Sequence, residues 1–394
     1  MTMATEQRIN AAQRASAELT RMPNALSTLQ PLSFDDLEGF AEDDHRAAFA
    51  LFAAHAAAIV NETPVLRPAL SATPDLRALF RKALAAPSRD DDAARLFFEE
   101  NFLLYRVLDT DTDRGFLTGY YEPVVEGSLN ETREFRTPVY GRPDDLVTLA
   151  SGETAPGVPS GLSAARRNGD GSFSPYPDRT AIEGGALKGH ATPLLYLADP
   201  VEVFYAQVQG SARVRLRDRR EVRLTYAGRN GHPYTSIGRI LVESGEIARD
   251  KIGLESVKAW IRANGRAPGE AGHALMARNT SYVFFALNAD LPESAGPIGG
   301  AGLSLTPLRS IAIDRNIWSY GLPFWIAADL PWQSAKATPF RRLMIASDTG
   351  SAIVGPARAD LFFGSGEAAG ALAGNIRHGC DFIVLLPRDL RDGT

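Results

Sequence analysis

Residues 346–366 read ASDTGSAIVGPARADLFFGSG, and the interpretation of the whole chain starts from this stretch. Two aspartates, Asp348 and Asp360, bracket a turn-rich segment, and each stands beside residues typical of a β-strand. Gly350 and Gly355 between them supply the backbone freedom that tight turns need. The stretch therefore predicts two carboxylates at strand ends, beside a glycine-rich turn whose backbone another molecule can approach closely.

The three apolar residues that follow Asp360 bear on its acidity; they are Leu361, Phe362 and Phe363. A carboxyl group that such neighbours partly desolvate has a raised pKa, which a general acid working near neutral pH requires. A lone Asp-Thr-Gly, however, is also typical of an aspartate that only caps a turn. These residues alone leave both interpretations open.

The longer pattern resembles the three-aspartate (3D) motif of small double-psi β-barrels. The motif runs from Asp348 to Gly364, and Asp314 would be its third aspartate. Three upstream blocks are similar to signatures of the MltA family, the lytic murein transglycosylases of type A: TGYYEP at 118–123, QVQGS at 207–211 and NTSYVFF at 279–285. The blocks follow the family's order within residues 98–387, and this ordered combination is specific.

The resemblance implies a mainly β fold with α-helices. We expect a six-stranded double-psi β-barrel domain with packed amino-terminal helices, formed by residues 1–121 and 289–394. A second β-barrel domain, residues 122–288, would be inserted into the first. The glycan would bind in a groove between the two domains, because interdomain clefts commonly hold ligands.

Hydrophobic periodicity predicts the helices. Ser33 begins a capped acidic turn that opens a helix continuing over residues 37–60. Further helices are predicted at 75–85, 91–103, 236–243, 254–263, 268–276 and 367–374. The helices of the first hundred residues have no assigned chemistry and should pack on the outside of a sheet domain.

Runs of β-prone residues between turn signals predict the strands. Those of the barrel are 282–286, 310–313, 323–327, 341–347, 360–363 and 381–386. Those of the inserted domain are 136–140, 193–197, 201–209, 212–216 and 221–227, the last two as a hairpin. Residues 151–177, rich in Gly, Ser and Pro, are predicted to form a long loop. By the two-residue period, Gln207 and Gln209 would share one face of their strand.

Composition narrows the classes of function. The chain has 394 residues, 44% hydrophobic and 23% charged, which is ordinary for a globular protein of two domains. A net charge of -5 without a dense run of Lys and Arg argues against nucleic-acid binding. The single cysteine, Cys380, excludes an intramolecular disulfide. The six histidines are scattered apart from the loose pair His45 and His55, so no metal site is expected.

The amino-terminal sequence bears on location. No apolar run reaches membrane-spanning length, and residues 1–22 are polar and alanine-rich, without the apolar segment of an export signal or the cysteine of a lipid anchor. Members of the family work outside the cytoplasmic membrane. The resemblance therefore implies a periplasmic protein, with or without association to the outer membrane, whose export signal is not visible in this sequence.

The resemblance also implies the chemistry and its residues. The enzyme would cleave the β-1,4 bond between N-acetylmuramic acid and N-acetylglucosamine, leaving a 1,6-anhydromuramic end, with Asp360 as the single general acid and then base. Asp348 would support Asp360, and Asp314 would be structural. Residues expected to contact the substrate are Thr118, Gly119, Tyr120, Tyr121, Gln207, Gln209, Gly210, Ser211, Gly350, Ser351 and Ala352. The implied partner is the peptidoglycan glycan strand, acted on by a monomer without cofactor or metal, with cell-wall synthesis or division proteins as further partners.

Other interpretations stay open at this stage. Double-psi barrels also occur in wall-binding modules, so a non-catalytic glycan-binding protein is the main alternative. Asp-Thr-Gly also occurs in aspartic hydrolases, but those need a second copy of the motif or a small one-copy subunit that dimerises. The tyrosines of the first block and both glutamines can equally be structural.

Overall fold

The computed structural model describes residues 27–85, 90–109, 114–150, 152–288, 292 and 295–388. The stretch 1–22, on which the interpretation of export rests, lies outside these residues. The chain divides into two compact units: unit 1 comprises Met1–Tyr120, Ile298–Gly364 and Asn375–Thr394, and unit 2 comprises Tyr121–Pro297 and Ser365–Gly374. The short segment Ser365–Gly374 thus belongs to unit 2, although the sequence analysis assigned it to the barrel domain.

Strands and helices alternate irregularly along the chain. Strands β1 to β17 are Ser27–Leu32, Phe102–Asp109, Gly115–Glu122, Val124–Ser128, Thr137–Tyr140, Leu146–Thr148, Ala164–Arg167, Phe173–Pro175, Pro193–Leu197, Ser211–Leu216, Glu221–Arg229, Val283–Asn288, Ser310–Ile313, Pro323–Leu330, Thr338–Asp348, Arg358–Ser365 and Arg377–Pro387. Helices α1 to α9 are His45–Val60, Pro74–Ala85, Asp91–Asn101, Arg179–Ala181, Pro200–Gln209, Ile237–Glu243, Leu254–Ala263, Ala271–Ala277 and Glu367–Ala373. A 3-10 turn covers Phe34–Asp36, and a π-helical turn covers Ile182–Ala186.

Six strands close into a barrel, which confirms the barrel that the resemblance implied. The order around the ring is β3, β17, β14, β15, β13, β16 and back to β3. Strands β13 and β15 run parallel, while β1 and β2 extend the sheet outward from β17. Closure removes the unpaired edges that an open sheet would expose. Phe324 and Trp325 of β14 are almost completely buried, and as successive residues of a strand they pack on opposite faces of the barrel sheet.

The prediction that residues 282–286 form a barrel strand is wrong. Strand β12 pairs with β11 in the sheet of unit 2, where Phe285 lies opposite Tyr226. The sixth barrel strand is instead β3, whose Thr118 lies opposite Arg377 of β17. Both segments are aromatic and β-prone, and strand propensity does not identify the pairing partner.

Helix α1 begins later than predicted and packs its apolar face in unit 1. Asp44 caps it by accepting a hydrogen bond from the first turn, whereas Ser33 caps only the preceding 3-10 turn. Phe49 and Phe52 of α1 pack against Phe97 of α3, with ring centroids 5.1 and 5.9 Å apart. Aromatic burial of this kind stabilises the helices on the barrel far more than helix propensity does.

Unit 2 is built on a six-stranded sheet in the order β12, β11, β10, β4, β9, β5. The predicted hairpin is confirmed: β10 and β11 pair antiparallel from Ser211 opposite Thr225 onward. The prediction of a long loop over 151–177 is wrong, because β7 and β8 lie within it and form a three-stranded sheet with β6. Its Gly and Pro residues separate short strands, which a composition argument does not distinguish from a loop.

Residues 201–209, predicted as a strand, form helix α5. Asp199 accepts a hydrogen bond from the backbone of the first turn at 2.9 Å, and Pro200 occupies the first helical position. Gly210 ends the helix with a φ of 79°, a left-handed conformation that glycine adopts without strain. Proline at the start and glycine past the end are helix signals, and they outweigh the β-branched and aromatic residues between them.

Candidate active site

Asp348 and Asp360 lie on the same face of the barrel sheet, one on each side of Ala312. Strand β13 runs between β15 and β16, and Ala312 pairs with Asp348 in one neighbour and with Asp360 in the other. Directly paired residues point to the same face, so both carboxyl groups flank the small methyl group of Ala312. Their Cα atoms are two strand spacings apart, roughly 9–10 Å. The structure thus brings together the two aspartates selected from the sequence.

A β-bulge at Ser347 puts Asp348 on that face. Strand β13 pairs Ile311 with Ala346 and then Ala312 with Asp348, so the register passes over Ser347. Side chains alternate between the two faces of a strand. Without the bulge, Ser347 would take the place opposite Ala312 and Asp348 would point to the other face.

Asp360 is held by a threonine that is itself held by an arginine. Thr118 Oγ1 donates to Asp360 Oδ1 at 2.6 Å, and Arg358 Nη2 donates to Thr118 Oγ1 at 2.6 Å. Burial raises the pKa of Asp360, while the Arg358 cation and the Thr118 hydrogen bond oppose that rise. The net direction of the pKa is upward, as a carboxyl group serving as an acid near neutral pH requires. Asp360 as a whole residue is half-buried.

Asp348 receives several hydrogen bonds. The backbone N–H groups of Gly300 and Thr349 donate to its Oδ1 at 2.7 and 2.8 Å, and the Tyr120 hydroxyl donates to its Oδ2 at 3.1 Å. Burial raises the pKa of Asp348, and the Arg67 cation and these donors oppose the rise. With both oxygens engaged, Asp348 is less available to a ligand than Asp360 is.

The charges of both carboxyl groups, those of Asp348 and Asp360, act on the Tyr120 hydroxyl. Its ring is buried and lies 5.3 Å from the ring of Phe362. Burial, together with the negative charges of Asp348 and Asp360, raises the pKa of Tyr120 well above its usual range. Its hydroxyl therefore stays protonated and acts as a donor at neutral pH.

Asp314 fixes the loop between the two other aspartates. It is 5% exposed, and it accepts hydrogen bonds from the backbone N–H groups of Asn316 at 3.0 Å and Gly355 at 2.9 Å. Gly355 has a φ of 114°, which a residue with a side chain would adopt only with strain. The predicted contact residues in this loop are Gly350, half-buried, and Ser351 and Ala352, both exposed.

Gln207, predicted as a substrate contact, is buried inside unit 2. Its Oε1 accepts from Arg179 Nη2 at 2.7 Å, and its Nε2 donates to the carbonyl of Val283 at 3.3 Å. Arg179, 1% exposed, also donates to the carbonyls of Asn279 and Ser281 at 2.8 and 2.7 Å. Both ends of the Gln207 amide are thus used within the fold. These contacts favour the structural alternative that the sequence had left open, and substrate contact by Gln207 stays a prediction.

The remaining predicted contacts occupy strand and helix ends. Gln209 accepts a hydrogen bond from the Tyr121 N–H at 3.2 Å; because α5 is a helix, Gln209 does not share a face with the glutamine two residues before it. Gly210 ends that helix and Ser211, largely buried, begins β10. Gly119, half-buried, lies in β3 between Thr118 and Tyr120.

Two residues at the site were not singled out from the sequence: Arg67 and Arg358. Arg358 had a usable signal, because it stands two residues before Asp360 and the two-residue period of a strand puts both on one face. Arg67, whose Nη1 donates to the Thr349 carbonyl, comes from a distant segment without a local signal. Only the fold brings it near Asp348.

A cavity of about 450 Å³ is lined by residues of unit 2, whereas the three aspartates belong to unit 1. Its ionisable lining residues are Glu126, Asp199, Glu202, Glu255, Lys258, Arg262 and Glu367, together with the phenol of Tyr121. Lys258 pairs with Glu202 at 3.1 Å, and Arg262 pairs with Asp199 at 3.0 Å. Part of its acidic charge is therefore neutralised internally.

Within the part of the chain that the structure describes, no three His, Cys, Asp or Glu side chains converge as metal ligands would. The same described residues include no helix with the length and apolar character needed to cross a membrane.

Two family models match the chain. The model for the MltA specific insert domain matches residues 116–286, and the model for the 3D domain matches residues 309–386. The first covers most of unit 2, and the second covers the strands that carry Asp348 and Asp360.

Named relatives and solved structures agree with these matches. A protein of Vibrio cholerae named membrane-bound lytic murein transglycosylase A is 34% identical over 267 residues, which is 66% of this chain and 62% of that protein. A membrane-bound lytic murein transglycosylase from Agrobacterium tumefaciens has a crystal structure with TM-score 0.81 and 35% identity, covering 91% of this chain and 98% of that one. Escherichia coli MltA with bound chitohexaose has TM-score 0.65 and 25% identity over 91% and 94% of the two chains.

Proposed function

Because the chain belongs to the MltA family, we propose that it is a lytic transglycosylase of peptidoglycan glycan strands. The bond cleaved is the β-1,4 bond between N-acetylmuramic acid and N-acetylglucosamine. The observation that carries the proposal is Asp360, a half-buried residue whose carboxyl group has a raised pKa and is oriented by Thr118. The chitohexaose bound by the Escherichia coli protein, itself a β-1,4-linked sugar chain, supports a glycan as the ligand.

In the proposed reaction a single carboxyl group serves twice. Protonated Asp360 first donates its proton to the glycosidic oxygen, the C1–O bond breaks, and N-acetylglucosamine leaves with a free hydroxyl group. The Asp360 carboxylate then takes the proton of the muramyl C6 hydroxyl, whose oxygen bonds to C1 and closes the 1,6-anhydro ring. No water is consumed, and Asp360 ends the cycle protonated as it began.

Asp348 supports this reaction without transferring a proton. A hydrolase would use a second carboxyl group to activate water or to attack the sugar. Both oxygens of Asp348 instead accept hydrogen bonds from Gly300, Thr349 and Tyr120. Its negative charge raises the pKa of Asp360 and so helps keep the acid protonated.

The proposed location follows from the substrate. Peptidoglycan lies outside the cytoplasmic membrane, so we place the working protein in the periplasm. The name of the Vibrio cholerae relative describes that protein as membrane-bound, and association of this chain with the outer membrane is part of the proposal.

Digestion of purified cell-wall sacculi tests the activity. The soluble products should end in 1,6-anhydromuramic acid, which mass spectrometry distinguishes from a reducing end by the loss of one water. Reducing ends would make the protein a hydrolase, and retention on sacculi without release would make it a glycan-binding protein. Either outcome would contradict the proposal.

The reaction as proposed should be insensitive to chelators. We expect the same rate of release from sacculi before and after dialysis against EDTA, because a carboxyl group alone moves the proton. Added zinc or magnesium should not raise the rate. Loss of activity in EDTA that zinc restores would point to metal-assisted chemistry instead.

A further inference from the structure

A buried histidine of helix α1 contacts the bulge that orients Asp348. His55 is 1% exposed and Ser347 is fully buried. Their Nε2 and Oγ atoms lie 2.8 Å apart. Ser347 Oγ also lies 3.1 Å from the carbonyl oxygen of Ile345, to which it donates. Since a hydroxyl group has a single proton, the bond to His55 must then be donated by the histidine, which fixes the Nε2–H tautomer.

Ser347 is the one residue between Ala346 and Asp348, and it is not paired with a residue of β13. Strand β13 pairs with Ala346 and then with Asp348, so Ser347 is the extra residue of the bulge. A bulge re-aims the side chain next to it. The hydrogen bond from His55 therefore holds the residue whose insertion turns Asp348 towards Tyr120 and Asp360.

The same bulge supports the backbone donors of Asp348. The Ser347 carbonyl accepts a hydrogen bond from Ala301 N–H at 3.2 Å, and the neighbouring Gly300 N–H donates to Asp348 Oδ1. A Cβ on Gly299 would come within 2.7 Å of the Ser347 carbonyl oxygen. The turn formed by Gly299, Gly300 and Ala301 therefore packs closely against the bulge. A shift of Ser347 would also displace the Gly300 N–H that donates to Asp348.

We propose that His55 is a positioning residue for the active site, acting through the Ser347 bulge on Asp348. The inference rests on the proposed function for its catalytic consequence. The proposal assigns a positioning role to helix α1, for which the sequence indicated no chemistry. Burial lowers the pKa of His55 to about 4, so the ring remains neutral across the working range and serves as a hydrogen-bond donor.

Four variants test this arrangement. His55→Leu removes the donor at similar volume, and His55→Gln keeps an N–H near the position of Nε2. Ser347→Ala removes the acceptor, and the double variant His55→Leu/Ser347→Ala removes both. His45→Leu is the matched control, because His45 lies on the same helix, is fully buried, and has no hydrogen-bond partner for either ring nitrogen among the described residues.

Release of anhydro-ended products should fall on the order of ten- to a hundredfold in kcat for His55→Leu and Ser347→Ala, since small displacements at an active site have effects of this size. KM should change little. The double variant should lose no more than either single variant, because both act through one bond. His55→Gln should recover most of the rate, and His45→Leu should leave kcat unchanged.

A second readout does not depend on activity. In a carboxyl-carbon NMR titration, the pKa of Asp348 should rise in His55→Leu and stay unchanged in His45→Leu, because misplacing the Gly300 and Tyr120 donors removes bonds that favour the carboxylate. An unchanged titration in folded His55→Leu overturns the inference even if wild type makes anhydro products. A shifted titration with no product release by wild type would leave the inference standing and refute the proposed function. Should His55→Leu not fold, Ser347→Ala and His55→Gln decide by the same readings.

Discussion

Asp360→Asn is expected to abolish nearly all release of anhydro-ended products while leaving the fold and the glycan affinity intact. General acid–base catalysis is worth on the order of a hundred- to ten-thousandfold, and here one group performs both steps. The amide oxygen of asparagine can still accept the hydrogen bond from Thr118 Oγ1. Turnover on sacculi and affinity for a chitooligosaccharide, measured on the same preparation, check the two halves of the prediction.

Stability gives an independent control for this variant. Burial raises the pKa of Asp360 above its unfolded value. The contribution of this carboxyl group to stability is therefore fully present below its ordinary pKa and is lost as the pH rises through the raised folded value. At neutral pH the neutral amide carries no buried charge, so the melting temperature of Asp360→Asn should equal or exceed that of wild type.

Substitution of the other two aspartates should reduce turnover less than Asp360→Asn does. Asp348→Asn should reduce turnover less, because it changes the geometry and the pKa of the acid without removing the proton carrier. Asp314→Asn should act mainly by loosening the loop that Gly355 enters, and it should lower the melting temperature. Near-wild-type turnover in folded Asp360→Asn, combined with an inactive Asp348→Asn, would mean that Asp348 is the general acid and base and that Asp360 supports it.

The sequence predicted the parts of this site that lie close together along the chain. Asp348 and Asp360 are separated by one loop, and the strands β13 to β17 follow each other with the turn chemistry and alternation that sequence reasoning uses. The sixth barrel strand was predicted at 282–286 instead of at β3, because the partners of β3 in the barrel are more than two hundred residues away. Propensity carries no information about such pairing.

Two other features illustrate why local patterns were insufficient. The helix that carries Gln207 is rich in β-branched and aromatic residues, which by themselves predict a strand. Asp199 and Pro200 at its start and Gly210 at its end favour a helix instead. The bulge at Ser347 has no sequence signal at all, since its contact with His55 spans 292 positions. Register and bulges are settled by what packs against the strand, and that is visible only in the fold.

The second large effect is expected from the Arg358–Thr118–Asp360 chain of hydrogen bonds. The Arg358 cation and the Thr118 hydroxyl both favour the carboxylate form of Asp360. Thr118→Val keeps the β-branched shape that a strand accommodates and removes the hydroxyl, and Arg358→Met keeps length and removes the charge. Either change should raise the pKa of Asp360 further, because burial then acts with less opposition.

The pH profile reports this shift. The acid must be protonated for the first step, so kcat/KM falls as pH rises through the pKa of Asp360 in the free enzyme. The alkaline limb should therefore move to higher pH in both variants, by roughly one unit in Arg358→Met, the low end of what a nearby opposite charge contributes because the site is partly exposed. At the optimum the rate should still fall, since a hydrogen bond to a charged group is worth roughly 1.5–3 kcal/mol and here it also orients the acid.

Arg341→Met provides the matched control for Arg358→Met. Arg341 is a partly buried arginine of barrel strand β15 that pairs with Glu38 and Asp329, at 3.7 and 3.5 Å, and does not contact the three aspartates. It should leave the position of the alkaline limb unchanged. The alkaline limb could instead stay in place in Thr118→Val and Arg358→Met, or move to lower pH. Either result would mean that a group other than Asp360 supplies the proton, because Arg358 and Thr118 act on the Asp360 carboxyl group.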